Sequence, residues 1–107
     1  MKKILTSILV LGVASTMANA GCVTGWCSDV EVTRLLPTSD GNILVATSGD
    51  ENALSCVSPG GEYATLSKDD AGQKNLYSLL LTAKTTKTKV MIRIVEGSAG
   101  CKVAFAY

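Results

Sequence analysis

The chain has 107 residues, with ten Lys and Arg, nine Asp and Glu, four Cys and no His, enough for one compact domain and too few for two. A formal charge of +1 with 18% charged residues leaves no basic field for a phosphate backbone, so no nucleic-acid partner is expected, and 47% apolar content argues against disorder. Without His the commonest general base and metal ligand is missing, and with it any Ser-His-Asp or Cys-His nucleophile pair.

Lys2 and Lys3 open the chain, Ile4 to Val13 is apolar but for Thr6, Ser7 and Gly12, and Ala18-Asn19-Ala20 offers small residues at a cleavage point. This is the pattern of a secretory signal peptide over residues 1–20, cut after Ala20. The apolar run is too short to cross a bilayer and no later run is longer, so residues 21–107 are expected to form a single domain without a membrane span. Lipidation at Cys22 is disfavoured, because Asn19 stands where a lipobox wants a branched apolar residue.

Export to a periplasmic or extracellular space turns Cys22, Cys27, Cys56 and Cys101 into disulfides rather than nucleophiles or ligands, so no metal or cofactor is expected. Their spacing favours Cys22–Cys27 and Cys56–Cys101, and a pairing of Cys27 with Cys101 stays open. A domain this small benefits from such staples.

In chain order, Asp29 to Leu36 reads as a strand ended by Pro37, Thr38 to Asn42 as a turn, and Ile43 to Thr47 as the returning strand of a hairpin. A polar loop leads to a short apolar piece around Leu54, Cys56 and Val57, Pro59-Gly60-Gly61 breaks the chain, and Tyr63 to Leu66 is a short strand. Ser67 with Asp70 resembles a capping box, and Asp69 adds a charge suited to a helix start. A helix over about residues 68–85 follows, with Leu76, Leu79, Leu80 and Ala83 on its core face and Lys84 and Lys87 at its end. Lys89 to Val95 is then a strand with Val90, Ile92 and Ile94 on one face and Met91, Arg93 and Val95 on the other. Cys101 to Tyr107 closes the domain, with Val103, Phe105 and Tyr107 alternating against Lys102, Ala104 and Ala106. The expected architecture is α+β and mainly β: a small OB-like antiparallel sheet or barrel of about five to six strands with one helix.

The run VEVTRLLPTSDGNILV, a loop cysteine, LYSLLLTAKTTKTKVMIRIV and a late Gly-Cys resemble small exported bacterial domains, and the succession resembles the OB-fold B subunits of AB5 toxins. That resemblance implies a ring of five subunits, helices around a central pore, and an exposed face that binds cell-surface glycans. It assigns no sugar-binding residue.

Trp26, between Gly25 and Cys27, is a candidate for stacking on a sugar, against the ordinary role of a Trp plugging the end of a core; Tyr63 and Tyr107 are weighed likewise. Tyr77 and Leu81, at i and i+4 off the core stripe, are candidates for an oligomer face. Asp69 with Asp70 and Asp50 with Glu51 are rejected as catalytic dyads, since adjacent carboxylates diverge by about 100° on a helix. The run Lys84-Thr85-Thr86-Lys87-Thr88-Lys89 reads first as a solvated connection and second as a weak anion site.

The functional expectation is a secreted or periplasmic, non-enzymatic binding module, similar to AB5 B subunits, that forms a homo-oligomer and recognises glycan or a protein partner. The alternative is a monomeric exported envelope or structural protein.

Overall fold

The computed structural model describes residues 20–107, so the expected leader lies outside the described residues except for Ala20. Strands β1 (Gly21–Val23), β2 (Trp26–Val30), β6 (Val90–Ile94) and β7 (Val103–Ala106) form one antiparallel sheet in the order β1-β2-β6-β7. Strands β3 (Val32–Pro37), β4 (Ile43–Thr47) and β5 (Ala64–Leu66) form a second, in sequence order. One α-helix, α1 (Gln73–Thr86), packs against them.

The expected α+β, mainly β domain with one helix is what the described chain forms, with seven strands rather than five or six. The strand expected from Asp29 to Leu36 starts earlier, at Trp26, and divides at Glu31 into β2 and β3, while β1 doubles back on β2 as a further strand. The two sheets meet at two margins. Glu31, at the bend, accepts the Ser48 N–H through its carbonyl (2.9 Å). At the other margin Thr65 of β5 bridges in parallel to Lys102, donating its N–H to Cys101 O (2.9 Å) and its hydroxyl to Gly100 O (2.6 Å).

Alternation along these strands turns Val30, Val32, Val45, Leu66, Ile92, Ile94 and Val103 into one core, each at most 5% exposed. Leu80 and Ala83 of α1 complete it, and Leu76 and Tyr77 pack at its edge. Full burial of such an aliphatic side chain stabilises by about 1.5–3 kcal/mol.

The helix begins five residues later than the capping pattern implies. The Ser67 hydroxyl accepts the Asp69 N–H (3.2 Å) and the Ser67 carbonyl accepts that of Asp70 (3.1 Å), closing a turn instead of capping a helix. Asp69 and Asp70 pair with Lys68 (3.8 Å) and Lys102 (3.1 Å), and no acidic residue lies in the first turn of α1. What fixes the start is Gln73, whose amide Nε2 donates to Gly41 O (2.8 Å) and Leu66 O (3.0 Å) and so ties the helix to the β4 and β5 side.

The bridges are Cys22–Cys27, across the β1–β2 hairpin, and Cys56–Cys101, which ties the long loop between β4 and β5 to the chain entering β7. Both join residues that packing already brings together, with Cys27 and Cys101 buried in the core.

Candidate functional site

The outer face of the four-stranded sheet carries three of the five aromatic side chains, of which Tyr107 also borders α1. Register explains how. Val23 pairs with Trp26, Trp26 with Arg93, and Arg93 with Phe105, so these four side chains form one row across β1, β2, β6 and β7. Met91 and Tyr107 exchange both backbone hydrogen bonds (2.7 and 3.0 Å), placing Tyr107 beside Phe105 in the next row.

A bulge makes this face. Arg93 pairs with Phe105 and Ile94 with Val103, so Ala104 is the extra residue on β7. Val103 therefore points into the core at 2% exposed, while Phe105 and Tyr107 stand outside at 47% and 65%. The expectation that Val103, Phe105 and Tyr107 share one face is corrected by that single inserted residue. Trp26 does not plug the core: it lies half-buried on the outer face, edge-on to Phe105 at 5.7 Å between centroids. Phe105 and Tyr107 are nearly parallel, 12° apart, at 6.5 Å.

Arg93 lies over the Trp26 ring at 5.2 Å and pairs with Glu96 at 3.3 Å. Gly25 makes room for it, since a Cβ there would sit 2.4 Å from Arg93 Nη1. The positive φ of the hairpin turn falls on Thr24 (52°), so Gly25 serves close approach rather than backbone conformation. The other Glu96 oxygen accepts the Ser55 hydroxyl (2.8 Å), and Ser55 is itself held to Thr24 O by its N–H (2.7 Å). Three loops thus meet at the polar end of the aromatic row, and they offer hydrogen-bond donors and an acceptor side by side.

Tyr77 and Leu81 do not form one exposed stripe. Tyr77 packs against the core, whereas Leu81 is 42% exposed. Tyr63 accepts a hydrogen bond at its hydroxyl from Arg34 Nη1 (2.6 Å), and the guanidinium also lies over its ring.

A second cluster lies beneath the β1–β2 hairpin. Glu51, 3% exposed, is the only buried charged side chain among the described residues, and its Oε2 accepts the Thr47 N–H (3.0 Å) and hydroxyl. Burial pushes its carboxyl above the usual range, against the lowering effect of those bonds. The same oxygen lies 3.9 Å from Cys22 Sγ. Cys22, Cys27 and Glu51 bring ligand atoms within 4.8 Å of one another. Both sulfurs are consumed in the bridge, however, and cysteine ligates a metal as the free thiolate. Gly49 allows the packing, because a Cβ there would lie 2.7 Å from Cys22 Sγ. The cluster therefore fastens the β4 end to the hairpin that presents Trp26.

Of the aromatic face, Trp26 and Tyr107 are weighed as ligand contacts from the sequence; Arg93 and Phe105 owe their place to cross-strand register. Comparison with known proteins adds no relative: no protein-family model, no curated protein and no solved structure matches the chain.

Proposed function

We propose that this protein is an exported, non-enzymatic binding module that takes glycan on the outer face of its four-stranded sheet. One observation carries the reading: the aromatic side chains Trp26, Phe105 and Tyr107 share the outer face with the Arg93–Glu96 pair, whose guanidinium lies over the Trp26 ring. Sugar rings present C–H faces that stack on aromatics and hydroxyls that both donate and accept, so a ring face beside a linked guanidinium and carboxylate matches them. A contiguous apolar row kept outside a small core also marks a binding surface. Two closed disulfides and no helix of the described residues long and apolar enough to cross a membrane support a periplasmic or secreted site. An OB-like domain similar to AB5 toxin B subunits, assembled as a homo-oligomer, belongs to the same proposal; the placement of α1 before β6 and the parallel contact between the sheets are compatible with the OB-like part of it.

The test is a glycan array probed with the cleaved, oxidised protein, alongside its mass in solution. The expected result is selective glycan retention, lost in Phe105→Ala and weakened in Gly25→Ala, which displaces Arg93 from Trp26 while leaving the core intact. No retention by correctly folded protein of monomeric mass would overturn the reading in favour of an envelope or structural role.

A further inference from the structure

The end of α1 carries a set of charges that the sheet face does not use. Lys84 in its last turn, Lys87 at its left-handed cap (φ 57°) and Lys89 before β6 are all exposed, and among the described residues none of them enters an ion pair. Lysines at a helix C-terminus complement the dipole. Two of the last carbonyls are served by backbone: the Thr88 N–H reaches Ala83 O (2.9 Å) and the Lys87 N–H reaches Lys84 O (3.4 Å).

Beside these lysines a groove of about 520 Å³ runs between α1 and the start of β6, a size typical of small-molecule sites. Its floor is apolar, made by Leu79 and Ala83 of the helix, Val90 of the strand and the Tyr107 ring. Leu79 belongs by spacing to the core stripe yet is 39% exposed, because it faces this groove rather than the sheets. The rim is Lys89 with Thr86, whose hydroxyl donates to Thr82 O (2.8 Å) and accepts from the Thr88 hydroxyl (2.7 Å), and no Asp or Glu side chain lines the groove. The chemistry is that of an open apolar groove with a cationic mouth.

We propose that this groove binds an anionic single-chain amphiphile, a medium-chain fatty carboxylate. The headgroup meets the Lys89 ammonium, with Lys84 and Lys87 adding field, and the chain lies along Leu79, Ala83 and Val90 against Tyr107. Charge complementarity selects the anion and the floor selects the chain. Neither feature alone accounts for both.

The site is tested by amide chemical-shift titration of the oxidised mature protein with sodium octanoate, sodium decanoate and 1-octanol, all below micelle formation. Saturable one-to-one binding is expected, with shifts centred on residues 78–90 and Tyr107. Each buried methylene tightens binding about fourfold, so decanoate should exceed octanoate by about fifteenfold. Octanol should bind about tenfold more weakly than octanoate, and Lys89→Glu should lose a similar factor. Leu79→Ser, at an exposed position, should flatten the chain-length dependence. Gly25→Ala, which displaces Arg93 from Trp26 and touches no groove residue, should weaken glycan retention and leave octanoate binding unchanged, so the failure of one site is distinguishable from that of the other. Equal binding of octanol and octanoate, absence of chain-length dependence, shifts spread over the sheet face, or binding only to anionic vesicles would each overturn the proposal.

Discussion

The two faces of the four-stranded sheet are written by the same residues in alternation and have opposite fates. Inward, Cys27, Ile92, Ile94 and Val103 are at most 2% exposed and meet Leu80 of α1 in one core. Outward, Trp26, Arg93 and Phe105 form a row with Tyr107 beside it, and their side chains pack on one another. A domain this small buries a modest share of its unfolded surface, so aromatics left outside represent core material set to another use. Stability should follow the inner face and ligand capture the outer.

The largest expected effect is on the covalent frame behind the inner face. Replacing Cys56 and Cys101 by Ser opens a bridge between residues 45 apart and should remove about 4 kcal/mol, whereas replacing Cys22 and Cys27, five apart, should remove about 2 kcal/mol. Denaturant unfolding of the two double variants measures both, and equal losses would mean that the hairpin holds more of the fold than its loop length implies. Next, Ile92→Ala, at 1% exposed, should destabilise by about 3 kcal/mol. The opposite face of the sheet offers the contrast. Phe105→Ala, from a ring 47% exposed, should lose no more than about 1 kcal/mol. If Phe105→Ala matched Ile92→Ala, the outer row would be a second core and the binding argument would lose its ground.

How much of this contrast was legible in the sequence differs strand by strand. The inner set on β6 was readable, because Val90, Ile92 and Ile94 keep an unbroken period of two. The outward aromatics on β7 were not. Ala104 is an ordinary strand residue with nothing to mark it as the bulge that reverses Phe105 and Tyr107. The helix was legible from its leucines, but its first residue was set by a tertiary bond, Gln73 to Gly41 and Leu66, over the local appeal of Ser67 and Asp70. Trp26 was noticed as a residue type, whereas the Arg93 above it depends on the space left by Gly25, a contact between segments far apart in the chain. Local pattern reports which residues alternate, and cross-strand register decides which of them meet.

The smallest effect concerns the hinge between the faces, where buried Glu51 supports the hairpin that carries Trp26. Its folded carboxyl is held above the unfolded reference of 4.5, chiefly by burial, so the folded state retains this proton longer than the unfolded one. Its contribution to stability is therefore fully present below that reference and is lost as pH rises through the raised folded value. Asp40 has the opposite sign. Its carboxylate accepts from the Thr38 hydroxyl and the Asn42 N–H, which hold it below the ordinary value, so its contribution is present at neutral pH and lost in acid. Glu51→Gln keeps an acceptor for Thr47 and removes the ionisation. Thermal melts of the oxidised protein from pH 4 to pH 8 should show wild type falling in melting temperature relative to Glu51→Gln as the pH rises, while Asp40→Asn alters only the acid side. Parallel curves for wild type and Glu51→Gln would mean that Glu51 ionises in the folded state as it does in water, and that the hairpin is more open to solvent at its base than the packing of Gly49 on Cys22 implies.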